Sequence, residues 1–274
     1  MAAMNESGYI PYRSHGWRGR IRTDWAQRLG AIDALQWVMD QPHESVADRS
    51  VAQTLLLPAS VSDDRPAIYV KHLPQVSKLR SPVMRTLSVT HAMARAGLGV
   101  PSVILAAQRR HGASRENILM TNQVDGQSVQ SLIWPTSDDA ACRQCLREVG
   151  RHIARLHQHG FLHGDLLPGN LIQTPGGELV YMDNDRTRKF PWLPLSIRQR
   201  NLTQMMYRCM TFLPWSVARS FLDGYFEKLS ISESRRRRCI AKVVRNARPR
   251  VMATYREQNS SRRYILQYRK QSAD

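Results

Sequence analysis

Acidic residues are scarce beside basic ones in this sequence. Its 274 residues hold 22 Asp and Glu against 40 Lys and Arg, a formal net charge of +18, and no carboxylate side chain occurs between Pro66 and Arg115. That balance disfavours cationic ligands and predicts an anionic partner: nucleic acid, an acidic membrane face or a phosphorylated molecule. Long apolar runs are also lacking. Runs such as "TLLLPASV" fall far short of the ~18–20 residues that span a bilayer. The opening "MAAMNESGYIPYRSHGWRGR" does not have the basic-then-apolar order of a secretory leader. The expectation is a chain that stays in the cytoplasm, free or on a membrane surface. Cysteine is sparse, at 142, 145, 209 and 239. Cys142 and Cys145 make a C-x-x-C inside a helix-periodic segment, with no second pair or histidines at zinc spacing, which favours helix packing over metal or redox chemistry.

What is present suits a folded enzyme-sized protein. An apolar content of 42% with six tryptophans supports a real core. Extended material is expected in the first 75 residues or so. There "VAQTLLLP" and "PAIYVKHL" are strand-like runs joined by the turn-like "ASVSDDRP". Ser81-Pro82 reads as an N-cap and first helical residue, Gly97 as the stop, and Met84, Leu87, His91 and Ala94 as one face of the helix between them. Two more strands follow in "VPSVILAAQRR" and "RENILMTNQV", turning at His111-Gly112, and "DGQS" at 125–128 is a hinge candidate. Beyond it, Ser137 caps a helix expected over 138–159, with Leu146, Val149, Ile153 and Leu156 at helical spacing and Gly160 ending it. "ELVYMDND" reads as a short strand after a Gly176-Gly177 turn. Further helices are expected in "IRQRNLTQMMYRCM", "WSVARSFLDGYFEKL" and from Ser232 onward. Strands first and helices second predict an α+β fold of two lobes, residues 1–125 and 126–274.

The chemistry concentrates in "HGFLHGDLLPGNLI", His159 to Ile172. Phosphoryl transfer needs a base to orient the acceptor hydroxyl, metal ligands, and a cation on the nucleotide phosphates. Asp165 is the candidate base. Asn170, five residues on, has the spacing of the kinase catalytic loop, and its side-chain oxygen can hold a metal. Asp183, thirteen residues later at a strand end, takes the second metal role. Lys71 in "AIYVKH" has the setting of the strand lysine that neutralises phosphates. Each residue also has a plainer reading: a solvated strand lysine, a turn aspartate, a structural His163. The joint order and spacing favour chemistry.

This set resembles the lipopolysaccharide core kinase family of Kdo and heptose kinases, which have a protein-kinase-like fold. "AIYVKHL", "ARAGLGVPSVI", "TNQVDGQSVQSLI", "HGFLHGDLLPGNLI" and "ELVYMDNDRTRKF" carry the resemblance, from Val51 to Tyr225. It implies a small β-rich N-lobe and a helical C-lobe, with ATP and Mg2+ as cofactors. The acceptor would be a sugar hydroxyl of lipopolysaccharide or a lipid A-core precursor at the inner face of the inner membrane. By that match Asp165 is the base, Asn170 and Asp183 bind metal, and Lys71 contacts phosphate.

The sequence also departs from the pattern. The small-lobe helix reads Arg85-Thr86 where the family tends to place Arg-Glu, so no helix carboxylate can anchor Lys71. "HESVADRSVAQTLL" holds no glycine-rich phosphate loop, leaving Arg49 and Ser50 as the nearest polar candidates. Gly164 replaces the usual loop arginine and Asn201 the helix aspartate, so neither half of that Arg–Asp contact is expected; the asparagine can still accept a hydrogen bond, and Gly164 frees space and backbone geometry. Arg186, Arg188 and Lys189 either face an anionic acceptor or brace the loop. The arginine-rich segment from Arg235 to Lys270 is either a solvated helix or a dock for an anionic inner-membrane surface, the latter favoured. Two other functions stay open: a soluble aminoglycoside- or choline-type kinase, disfavoured by the basic charge, and a catalytically weak kinase-like binding protein. No nucleic-acid motif accompanies the basic residues, and no nucleic-acid partner is expected.

Overall fold

The computed structural model describes residues 8–49, 52–60, 65–76, 81–112, 114–134 and 139–260. Ser50, the Ser137 cap and the tail from 261 onward lie outside the described residues. The chain divides into two compact units between Val124 and Asp125. With an antiparallel sheet in the first and helices dominating the second, the fold is α+β and protein-kinase-like.

The first unit is built on β1 (Tyr9–Ser14), β2 (Trp17–Arg22), β3 (Glu44–Arg49), β4 (Ala52–Leu57), β5 (Ile68–Val76), β6 (Val103–His111) and β7 (Ser114–Asn122). Among the described residues these seven form one antiparallel sheet in the order β1-β2-β6-β7-β5-β4-β3. Its two faces bury different sets. On one face Ile68, Val70, Leu105 and Met120 join Trp17, Trp25 and Val38. On the other, Val103, Ala106 and Leu119 pack against Val83 and Leu87 of α3 (Pro82–Arg95).

The first face is covered by two helices that the sequence reading did not anticipate, α1 (Thr23–Leu29) and α2 (Ala34–Asp40). Each has seven residues, too few for a 3.6-residue period to stand out against the strands around it. A capping signal was nevertheless present. The Asp33 carboxylate accepts from the Leu35 and Gln36 amides at 3.1 and 3.0 Å and from the Tyr12 hydroxyl at 2.8 Å.

Helix α3 begins as expected, with Ser81 Oγ accepting from Met84 N and Pro82 at the first position. Its buried stripe differs from the expected one: Val83, Thr86, Leu87, Thr90 and Met93 are buried, whereas Ala94 is exposed. The reason is visible at Thr86, whose hydroxyl donates to the Pro82 carbonyl at 3.0 Å. With its polar atom bonded inside the helix, a threonine can face a core.

The second unit starts with β8 (Gln127–Ser128), α4 (Val129–Ile133) and α5 (Asp139–Gln158). Four short strands follow: β9 (Phe161–Leu162), β10 (Leu171–Gln173), β11 (Leu179–Tyr181) and β12 (Arg188–Lys189). The chain then runs through α6 (Leu195–Phe212), α7 (Trp215–Phe226) and α8 (Glu233–Ser260). The expected "DGQS" hinge is locally fixed: β8 pairs with β10, and a Cβ on Gly126 would strike the Gln173 carbonyl. Cys142 is buried on α5 beside the Ile133 carbonyl. Helices α5 and α7 touch through two glycines. A Cβ on Gly150 would lie 2.6 Å from Tyr225 N, and one on Gly224 would lie 2.7 Å from the Arg147 carbonyl carbon.

Candidate active site

Gly160, at φ 79°, ends α5 and turns the chain into β9. The next residues form a loop held by a set of buried and part-buried hydrogen bonds. His163 is 0% exposed. Its Nε2–H donates to the Met182 carbonyl at 2.9 Å, and its Nδ1 accepts from the Asp165 amide at 3.1 Å. One neutral imidazole therefore ties the backbone of Asp165 to the residue before Asp183. Asn170 adds a second tie. Its Nδ2 donates to the Asp165 carbonyl at 2.9 Å and lies 3.4 Å from Asp165 Oδ2.

The hairpin β10–β11 completes the cluster. Leu171 pairs with Tyr181, and the Met182 amide donates to the Asn170 carbonyl at 2.9 Å. That register puts Asn170 and Asp183 at the same end of the hairpin, next to Asp165. Asp183 is exposed and left-handed, at φ 52° and ψ 55°, and its side chain does not cap the short helical turn that follows. A non-glycine residue in this region costs on the order of 1–3 kcal/mol and persists only where its surroundings impose it. Here they do. Asn184 is buried, donates to the Tyr181 carbonyl at 2.7 Å and accepts from the Thr187 hydroxyl at 3.3 Å, clamping the turn from both sides.

The structure thus brings Asp165, Asn170 and Asp183 together. Lys71 lies in the other unit, on β5 between Thr54 of β4 and Leu119 of β7. Because it pairs with Leu119, Lys71 shares the sheet face that carries α3.

The donor set fits a divalent cation. Asn170 spends its amide nitrogen on Asp165, so its Oδ1 takes no hydrogen bond among the described residues. No cluster of three His, Cys, Asp or Glu stands together among them. One carboxylate and one amide oxygen suit an ion such as Mg2+, which completes its shell with water and substrate phosphates.

A family model of the lipopolysaccharide kinase (Kdo/WaaP) family matches residues 73–225, more than half of the chain. The chain belongs to this family. The match takes in Asp165, Asn170 and Asp183 and begins just past Lys71. Among individual relatives, a 3-deoxy-D-manno-octulosonic acid kinase of Xylella fastidiosa (strain M12) is 29% identical over 112 residues, 40% of this chain and 43% of that protein. A probable serine/threonine-protein kinase BUD32 homolog of Archaeoglobus fulgidus is 30% identical over 103 residues, 38% of this chain and 44% of its own length. A KEOPS complex subunit Bud32 of Pyrococcus abyssi is 32% identical over 63 residues, 23% of this chain and 28% of that protein. The chain spans less than half the length of each of these curated relatives.

In this family member the Arg–Asp contact is absent, as expected, and Asn201 goes beyond the accepted hydrogen bond expected of it. Asn201 of α6 is fully buried and holds the loop from both sides of His163. Its Oδ1 accepts from His163 N at 3.0 Å, and its Nδ2 donates to the His163 carbonyl at 2.7 Å. Behind it, His157 Nε2–H donates to Asn201 Oδ1 at 3.1 Å and the Tyr225 hydroxyl donates to His157 Nδ1 at 2.9 Å. A neutral amide does the bracing because it both accepts and donates, as the backbone on either side of His163 requires.

Gly164 has a reason of its own. A Cβ there would lie 2.6 Å from the Arg186 carbonyl carbon and 2.7 Å from its Cα. The backbone of 186 packs directly on the loop, and Arg188 and Lys189 of β12 pair with Leu162 and Phe161 of β9. This segment braces the loop through its main chain, leaving the side chains of Arg186, Arg188 and Lys189 exposed. Substituting Gly164 with Ala is expected to cost about 1–3 kcal/mol of stability, read as a lowered urea midpoint. An unchanged midpoint would show that the contact yields freely.

The buried histidines carry a pH signature. Burial pushes the His157 imidazole down to about 3 and lowers His163 as well, and His152 shifts the same way for the same reason. As pH falls through about 6.5 the unfolded chain takes up protons that the folded chain refuses, so stability is lost on that side. The loss is up to about 1.4 kcal/mol per pH unit for each fully buried histidine. Urea unfolding is expected to show a plateau above pH 7 and a decline between pH 6.5 and 5. A flat profile across that window would contradict neutral burial.

Proposed function

We propose that the protein is a magnesium-dependent, ATP-using kinase whose acceptor is a sugar hydroxyl, Kdo or heptose, of the lipopolysaccharide inner core. The observation that carries this reading is the hydrogen-bonded Asp165–Asn170 pair set against Asp183 at one end of the β10–β11 hairpin. Asp165 accepts a hydrogen bond from the acceptor hydroxyl and takes its proton as the oxygen attacks the γ-phosphorus, the bond to the β,γ-bridging oxygen breaks and ADP leaves. Asn170 fixes the Asp165 main chain while offering its own Oδ1, with Asp183, to the metal. The ion supplies charge neutralisation on the phosphate oxygens. Lys71 is the cation for the α- and β-phosphates. Arg186, Arg188 and Lys189 offer exposed positive charge beside the loop to an anionic acceptor.

Family membership and the likeness to a 3-deoxy-D-manno-octulosonic acid kinase support the sugar acceptor. Among the described residues no helix is long and apolar enough to cross a membrane, and we place the protein at the cytoplasmic surface of the inner membrane. A serine or threonine hydroxyl is the second reading, carried by the likeness to the probable serine/threonine-protein kinase of Archaeoglobus fulgidus. Mass spectrometry of lipopolysaccharide from cells with and without the gene separates them: one phosphate on a core sugar disappears if the first reading holds. An unchanged lipid profile together with phosphoserine or phosphothreonine on a protein would favour the second.

A further inference from the structure

The catalytic reading leaves unused a strongly basic surface of the second unit. Helix α8 buries one stripe, Cys239, Val243, Ala247 and Val251, against the body of the unit. A neighbouring stripe, Arg237, Ala241, Arg245 and Arg248, runs beside it at helical spacing and is exposed. Between that stripe and the start of α7 lies an open groove of about 630 Å³.

Its chemistry is mixed in a particular way. Five arginines line it, with an apolar floor of Ile240, Ala241 and Val244 and the indole of Trp215, 42% exposed, at one wall. Two carboxylates offset part of the charge. Asp223 lies 3.0 Å from Arg236 and 3.6 Å from Arg219, and Glu233 lies 3.0 Å from Arg237. Arg245 and Arg248 have no hydrogen bond or ion pair among the described residues. The groove therefore keeps a surplus of positive charge directly over an apolar strip. Met252, 54% exposed, lies about two turns further along α8.

We propose that this groove is a docking site for the phosphate headgroups of acidic phospholipid at a bilayer surface. Unpaired guanidiniums bind phosphate oxygens. The apolar floor, Trp215 and Met252 suit the start of the acyl region, where indole rings prefer to sit. A nucleic acid would satisfy the arginines but would leave the aliphatic floor facing sugar and phosphate. The groove also lacks the series of aromatic platforms on which bases stack. The inference does not rest on the catalytic reading, since lipid binding is measured without nucleotide.

The test is co-sedimentation of the full chain with vesicles of phosphatidylglycerol and phosphatidylcholine in equal parts, against vesicles of phosphatidylcholine alone. Binding is expected only to the acidic vesicles. The double variant Arg245→Glu/Arg248→Glu should weaken it on the order of 30-fold or more. A control with the same charge change in the other unit, Arg18→Glu/Arg110→Glu, should weaken it far less. Circular dichroism of each variant checks folding. Vesicle binding should blue-shift tryptophan emission, and Trp215→Phe should remove most of that shift. Equal losses in the two double variants would mean net charge alone and would overturn the proposal. So would equal binding to both vesicle types, or displacement by millimolar glycerol phosphate, which would mean a site for free phosphate. Retained vesicle binding with lost duplex RNA binding in Arg245→Glu/Arg248→Glu would overturn it in favour of nucleic acid.

Discussion

Asp165→Asn is expected to lower phosphoryl transfer by about 10²–10⁴-fold, the range for loss of a positioned general base, while nucleotide binding and the unfolding midpoint stay close to wild type. The geometry explains why the effect should be confined to chemistry. The Asp165 amide and carbonyl are the groups fixed by His163 Nδ1, Leu167 N and Asn170 Nδ2, and these bonds survive the substitution. Only the 3.4 Å contact between Asn170 Nδ2 and Asp165 Oδ2 depends on the carboxylate. The check is a paired measurement of kcat and of nucleotide affinity by calorimetry. A variant that keeps its kcat removes Asp165 from the chemistry. One that loses kcat and nucleotide binding together assigns the residue to ligand binding instead.

The second large effect runs against sequence intuition. Asn201→Asp installs the residue that kinases usually carry on this helix, and it is expected to destabilise the fold by about 3–5 kcal/mol, the cost of leaving a buried charge uncompensated. Asn201 is fully buried and donates through Nδ2 to the His163 carbonyl at 2.7 Å. A carboxylate has no hydrogen to offer there, so two oxygens would face each other. Arg198, whose charge reaches His157, is tied through Nε to the Leu193 carbonyl at 2.7 Å. Adding the loop arginine back as Gly164→Arg offers no rescue, because the backbone of 186 occupies the space. Urea denaturation of the single and double variants checks both statements. A double variant as stable as wild type would restore the idea of an absent Arg–Asp brace.

Much of the strand pattern was readable in advance because it depends on near neighbours. β4 through β7 alternate or run apolar between turn residues, and Ser81-Pro82 marks the start of α3 unambiguously. The helices α1 and α2 were hidden because seven residues hold only two turns. The buried face of α3 was misjudged because Thr86 and Thr90 read as polar in a sequence, whereas Thr86 satisfies its hydroxyl inside the helix. In the site, Asp165, Asn170 and Asp183 were visible through order and spacing along one short stretch. What holds them was not. Asn201 meets His163 across 38 residues and His157 meets Tyr225 across 68, and no local pattern announces either. Gly164 reads in the sequence as half of an absent contact that also frees space; what fills that space, the backbone of 186, has no local signal.

The most direct measurement is transfer of labelled γ-phosphate from ATP by the purified protein to a Kdo- or heptose-containing lipid acceptor, with and without magnesium. Transfer that requires the metal, is abolished in Asp165→Asn and is strongly reduced in Asp183→Asn is the predicted result. Tight nucleotide binding with no transfer to any such acceptor, under conditions where an active relative transfers, would contradict it and leave a kinase-like binding protein.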